Sequence, residues 1–132
     1  VKILVDTSVW VAHFKQRNAA LVDLLLQGRV VCHPYVILEV ACATPPDRTE
    51  VIDLLRELEP APTASTEEML HLLAAHQLYG KGCGLMELGL LASTLMRPAT
   101  QLWTLDKRLQ ALATEFHLAY SPKMSPTASR GH

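Results

Sequence analysis

The sequence predicts an α/β fold with a mainly parallel sheet, and three observations carry that reading. The chain opens on an apolar run, Val1 to Val5, that stops abruptly at Asp6. A strand covered on both faces shows such a continuous run instead of alternation. Two further short apolar runs, Arg29–Cys32 and Gln101–Leu105, have the same character, and the second also stops at an acid, Asp106. Between these runs the apolar residues fall at helical spacing, and strands alternating with helices imply a parallel sheet with crossover helices.

Each element follows in order. Ser8 to Phe14 reads as a short helix after the first strand. Asn18 is a suitable N-cap for a helix through Gln27, closed by Gly28. After the second strand, Pro34 fits the first turn of a helix that runs through Cys42. Thr44-Pro45-Pro46 breaks it. Asp47 to Glu59 then reads as an amphipathic helix with Val51, Ile52, Leu54, Leu55 and Leu58 inward. Pro60–Thr63 suits a turn or a short edge strand. Ser65 or Thr66, followed by Glu67 and Glu68, starts a helix to about Tyr79. Gly80, Gly82 and Gly84 predict a mobile loop. Leu85 to Met96 is apolar nearly all round and is expected to be central. A helix from Asp106 to Phe116 follows the next strand, and Leu118–Tyr120 suits a final one. Residues 1–120 thus form one domain, with 121–132 a tail that shows no periodicity.

Composition narrows the class. The 132 residues are 49% hydrophobic and 19% charged, enough for a core without disulfides or a structural metal. A formal net charge of −1 gives no general attraction to nucleic acid, so such binding needs a local basic patch. Cys32, Cys42 and Cys83 lack metal-ligand spacing and read as small residues in a reducing compartment. No run is long enough to span a membrane and no signal peptide precedes the first strand, so a cytoplasmic location is expected.

The acids are the informative residues. Most lie on polar helix faces. Glu39 stands alone within Val36-Ile37-Leu38 and Val40-Ala41-Cys42, and Glu87 within Leu85-Met86 and Leu88-Gly89-Leu90. Both are expected to be buried charges, which need a cation or a proton. Asp6 and Asp106 end strands, where open α/β sheets place ligands. As structural residues, the two aspartates would be N-caps, Glu39 would pair with His33, and Glu87 with Lys81 or Arg97. As a group, the four would converge at one sheet edge and repel unless a hard divalent ion neutralised them, and oxygen-only ligands favour Mg²⁺ or Mn²⁺. Such a pocket suits phosphodiester hydrolysis. No GxSxG, P-loop or Cys/His pair offers another chemistry.

The segments LVDTSVW, HPYVILEVA, GLMELGLLAS and LWTLDKRL, in that order, resemble PIN-domain nucleases, and more closely the VapC-type toxins of bacterial toxin–antitoxin pairs. The resemblance covers residues 1–120. It implies a PIN-like fold with about five mainly parallel strands between helices, and a Mg²⁺-dependent endoribonuclease in which Mn²⁺ is a plausible substitute. The family's first, second and fourth acids fall on Asp6, Glu39 and Asp106. The third, usually aspartate, falls on Glu87, which keeps the charge on a longer arm. Thr7, Ser8 and Thr104 border these acids and are expected to orient carboxylates or water. Lys81, Arg97, Lys107 and Arg108 lie near the motif ends and are candidates for RNA phosphate contacts. The resemblance also implies a cognate antitoxin, an RNA substrate and a homodimer. The alternative is a catalytically weakened PIN domain that binds antitoxin or RNA without cutting. A receiver-type signalling domain would want two adjacent acids after the first strand, and the sequence has none.

Overall fold

The computed structural model describes residues 1–122. Most of the tail assigned from sequence, 123–132, lies outside the described residues. Seven helices and four strands among the described residues follow the expected alternation. The strands are β1 (Lys2–Val5), β2 (Val30–Cys32), β3 (Glu59–Pro60) and β4 (Thr100–Trp103). They form one parallel sheet in the order β3-β2-β1-β4. Ile3 pairs with Val30 on one side of β1 and Gln101 on the other, so β1 is central. Ile3, Leu4 and Val5 are fully buried, as their unbroken apolar run requires. The final strand expected at Leu118–Tyr120 is a single parallel bridge, Leu102 to Ala119, which extends the sheet beyond β4.

The helices are α1 (Thr7–Lys15), α2 (Ala19–Leu26), α3 (Pro34–Cys42), α4 (Arg48–Glu57), α5 (Thr66–Ala75), α6 (Leu85–Met96) and α7 (Lys107–Glu115). Their caps explain the boundaries. The Asn18 side chain accepts from Leu21 N–H, Ser65 and Glu68 form a reciprocal capping box, and Asp106 accepts from Leu109 N–H. None of the helices among the described residues is long and apolar enough to cross a membrane.

Four expectations need correction. The helix expected to reach Glu59 ends at Glu57, because Glu59 and Pro60 pair with β2 as the sheet's outer strand, where proline's missing N–H costs nothing. Leu54 is exposed, not inward. The helix expected to reach Tyr79 ends at Ala75, and Tyr79 is exposed. Finally, neither α3 nor the start of α6 is buried all round. Leu38 is 61% and Leu85 66% exposed, so only one stripe of α3, Val36 and Val40, and the stretch Leu88–Thr94 of α6 pack inward.

Chain order along the sheet reverses at β1. The path runs outward through β2 and β3, then crosses to β4 on the other side. The carboxyl ends of β1 and β4 therefore flank a topological switch point, the place where open α/β sheets leave a crevice. Asp6 follows β1 directly, and its backbone N–H donates to Trp103 O of β4 at 2.9 Å, which fixes the acid to that edge.

Candidate active site

Asp6, Glu39, Glu87 and Asp106 line one cavity of about 250 Å³, together with Thr7, Ser8, Met86 and Leu109. Two acids arrive from strand ends and two from helices α3 and α6. Among the described residues, no lysine, arginine or histidine lines this cavity. A larger cavity of about 430 Å³ lies between α5 and α6, but leucine, alanine and methionine make up much of its lining and it lies away from the switch point. The smaller cavity has the convergent polar groups that chemistry needs.

Asp6 is the most constrained of the four, at 7% exposed. Its Oδ2 accepts from Ser8 Oγ and from Thr104 Oγ1, both at 2.7 Å. Each hydroxyl in turn accepts a backbone N–H, Leu105 into Ser8 at 2.9 Å and Asp106 into Thr104 at 3.0 Å. A hydroxyl has one proton, so both protons are directed at Asp6 Oδ2, which leaves Oδ1 as the carboxylate's remaining acceptor. Such partners fix a ligand's orientation. Thr7 Oγ1 is buried at the same cavity and has no hydrogen-bond partner among the described residues.

The other three carboxylates are held differently. Asp106 is exposed, and its Oδ1 accepts from Leu109 N–H at 2.9 Å, so it also caps α7. Glu87 is half-buried, and its Oε1 reaches back to Gly84 N–H at 3.2 Å. That bond satisfies one of the free donors at the start of α6. The Glu87 charge also acts on Cys83, whose thiol is pushed up first by burial and then by this carboxylate. Glu39 is exposed and makes no side-chain hydrogen bond or ion pair among the described residues. The expectation of two buried glutamates is thus corrected, because α3 and the first turn of α6 open their acid-bearing faces to the cavity and solvent. The alternative ion pairs are absent as well. His33 is fully buried, its Nδ1 accepts from Tyr35 N–H at 3.0 Å, and burial holds its pKa below the ordinary value.

Among the described residues, four carboxylates, an unpartnered buried hydroxyl and no lining cation make a donor set suited to a hard divalent ion such as Mg²⁺ or Mn²⁺. The side chains surround the cavity without closing on one point, and no three His, Cys, Asp or Glu among the described residues are clustered as an ion-holding group. The bonds from Glu87 to Gly84 and from Asp106 to Leu109 account for part of that spread.

The basic candidates divide. Arg97 belongs elsewhere: it pairs with Glu59, which also accepts from Lys2 at 3.1 Å, where β1 and β4 begin. Arg108 donates to Gly82 O at 3.1 Å. Lys81 and Lys107 are exposed. Sequence reasoning overlooked Met86 and Leu109 as the cavity's apolar lining, although each sits within three residues of an acid. It also missed the Arg108–Gly82 contact, for which no local pattern exists.

No protein-family model matches the chain. Ribonuclease VapC32 of Mycobacterium tuberculosis is 40% identical over 123 residues, which covers 93% of this chain and 99% of the relative, in strain CDC 1551 / Oshkosh and equally in strain ATCC 25618 / H37Rv. Identity at that level along nearly both whole chains, with a parallel α/β sheet and an acidic cavity at its switch point, places the chain in a family: it belongs to the VapC-type PIN-domain nucleases.

Proposed function

We propose that this chain is a divalent-metal-dependent endoribonuclease and the toxin of a toxin–antitoxin pair. The observation that carries the reading is the cavity lined by Asp6, Glu39, Glu87 and Asp106, with no cation lining it among the described residues. The ribonuclease name of the 40%-identical relatives supports RNA as the substrate. Mg²⁺ or Mn²⁺ would be held by these four acids, and when bound would supply an activated water and charge to stabilise the leaving oxygen. Asp6 presents one carboxylate oxygen to the cavity because Ser8 and Thr104 hold the other. Glu87 and Glu39 would complete the ligand set by turning inward, and Asp106 would add its charge from the neighbouring strand end. Lys81 and Lys107, both exposed and close in sequence to Glu87 and Asp106, are candidates for RNA phosphate contacts.

The partners follow the same reading. Leu38, Leu85 and Leu105 are each more than half exposed and lie within two residues of Glu39, Glu87 and Asp106. Apolar residues beside acids suit an antitoxin segment that brings both apolar and basic side chains. A homodimer is proposed on family grounds, with the apolar cavity between α5 and α6 as its natural seat.

The experiment is incubation of purified, antitoxin-free protein with total RNA in Mg²⁺, in Mn²⁺ and in EDTA. Cleavage is expected with either metal and not with EDTA. A second reading, a binding module that does not cut, is favoured by one observation: Glu87, although it lines the cavity, has its Oε1 engaged by Gly84 N–H. Retention of RNA or antitoxin without cleavage in Mn²⁺ would replace the first reading with this one.

A further inference from the structure

Helices α5 and α6 are joined by a loop, residues 76–84, anchored at its start by His76 against Phe116 and by Leu78 in the core. Gln77, Gly80 and Gly82 all adopt positive φ, +53°, +74° and +77°, and Leu78 is its one buried apolar anchor. The loop ends at Gly84, whose N–H is bonded to Glu87. Arg108, on the first turn of α7, crosses to this loop and donates from Nη1 to Gly82 O at 3.1 Å. The guanidinium also covers the Gly82 α-carbon: a Cβ there would fall 2.6 Å from Nη1 and 3.1 Å from Cζ. Glycine suits 82 by its backbone angle, and a Cβ there would push the flexible end of Arg108 off the loop.

We propose that Arg108 is a positioning residue of the acidic site, which straps the 76–84 loop to α7 and so sets where Glu87 stands relative to Asp106. The path is short: Asp106 lies two residues before Arg108, and Gly84 lies two residues after Gly82 and is bonded to Glu87. One hydrogen bond thus links the entries of the two helices that carry half of the cavity's acids. Arginine suits the task because its planar fork can donate to a carbonyl and lie flat against a glycine, whereas lysine can only donate. The inference rests on the proposed metal-dependent site. It also reassigns Arg108, a candidate for RNA contact, to a structural link.

The test compares the wild type with Arg108→Ala, Arg108→Lys and Gly82→Ala. Amide hydrogen exchange across 80–86 is read in metal-free protein, Mn²⁺ affinity by calorimetry, and cleavage of an RNA oligonucleotide as separate kcat and KM. Arg108→Ala is expected to speed exchange at Gly84 and to weaken Mn²⁺ binding about tenfold, the low end for groups that orient ligands. Its loss of cleavage should fall on kcat with KM little changed. Gly82→Ala should reproduce these effects from the other side of the contact, and Arg108→Lys should restore part of them. Unchanged exchange and Mn²⁺ affinity in Arg108→Ala, with a raised KM, would overturn the proposal and return Arg108 to the RNA. If the wild type neither binds Mn²⁺ nor cuts RNA, the proposed function fails; the exchange comparison, which needs no metal, then still decides whether Arg108 holds the loop.

Discussion

Asp6 shows how one residue is prepared for its task by neighbours far away in sequence. Thr104 and Ser8 each relay a backbone N–H through a hydroxyl to the same carboxylate oxygen. Thr104→Val keeps the shape but removes both the proton aimed at Asp6 and the acceptor for Asp106 N–H. It should cost about 1–3 kcal/mol of stability, as buried donors left unpaired do. Cleavage should fall at least about tenfold, as measured by initial rates on RNA. Asp6→Asn makes a sharper test. Its amide oxygen can still accept from both hydroxyls, while one negative charge leaves a cavity lined by four acids. Metal-free Asp6→Asn should melt at or above the wild-type temperature, gain less from Mg²⁺ or Mn²⁺, and show no cleavage. Normal cleavage by Asp6→Asn would remove Asp6 from the chemistry. Asp6 was legible from sequence because an apolar run ended on it, and Thr104 because it borders Asp106, but that Thr104 serves Asp6, 98 residues away, has no local sign.

Helix α6 carries Glu87, at the position where the family resemblance implies an aspartate. Glu87 has two tasks that compete for one carboxylate: it caps the helix at Gly84, and it lines the cavity. Two substitutions separate them. Glu87→Gln keeps an oxygen that accepts from Gly84 N–H, so melting temperature should hold while Mn²⁺ affinity and cleavage drop. Glu87→Asp keeps the charge but is a methylene too short to reach back to Gly84. Stability should fall by about 0.5–1 kcal/mol, in the range of lost caps, with cleavage retained. Unchanged Mn²⁺ affinity and cleavage in Glu87→Gln would make Glu87 a cap alone. Other elements teach the limits of reading by pattern. The caps at Asn18, Ser65 and Asp106 were visible because their side-chain chemistry is local. The burial of α3 and of the start of α6 was not, because apolar residues all round a helix do not say which of them find a neighbour. Leu38 and Leu85 find none. The same error made Glu39 and Glu87 look like buried charges, and the right residues were singled out for a partly wrong physical reason.

At the scale of the whole molecule, the sheet order was hidden from sequence although the strands were not. Runs ending at acids marked β1 and β4, but only the fold shows that they are neighbours, which is what brings Asp6 and Asp106 together. The same central position gives the molecule its pH response. His33 ends β2, caps α3 through Nδ1, and is fully buried, so its neutral form carries the proton on Nε2, which has no partner among the described residues. Burial holds its pKa below 6.5 in the folded protein. His13 shifts the same way, by burial and then by the charge of Arg17. The unfolded chain therefore binds more protons than the folded one just below pH 6.5, and stability is lost as pH falls through that region towards the folded-state values. His33 adds at most about 1.4 kcal/mol per pH unit, and the contribution of the more exposed His13 is weakened by solvent screening. Glu59, whose pKa is lowered by its bonds to Lys2 and Arg97, acts only at more acidic pH, below its ordinary value of 4.5. Urea unfolding at pH 7.5, 6.5 and 5.5 should show the midpoint falling below pH 6.5. His33→Asn should flatten much of that fall, since asparagine can cap α3 without binding a proton. The remainder should disappear when His13 is replaced as well. A midpoint that stays level from pH 7.5 to 5.5 in the wild type would mean that His33 is protonated at no cost inside the fold, although the added proton falls on Nδ1 and displaces the Tyr35 N–H that this nitrogen accepts.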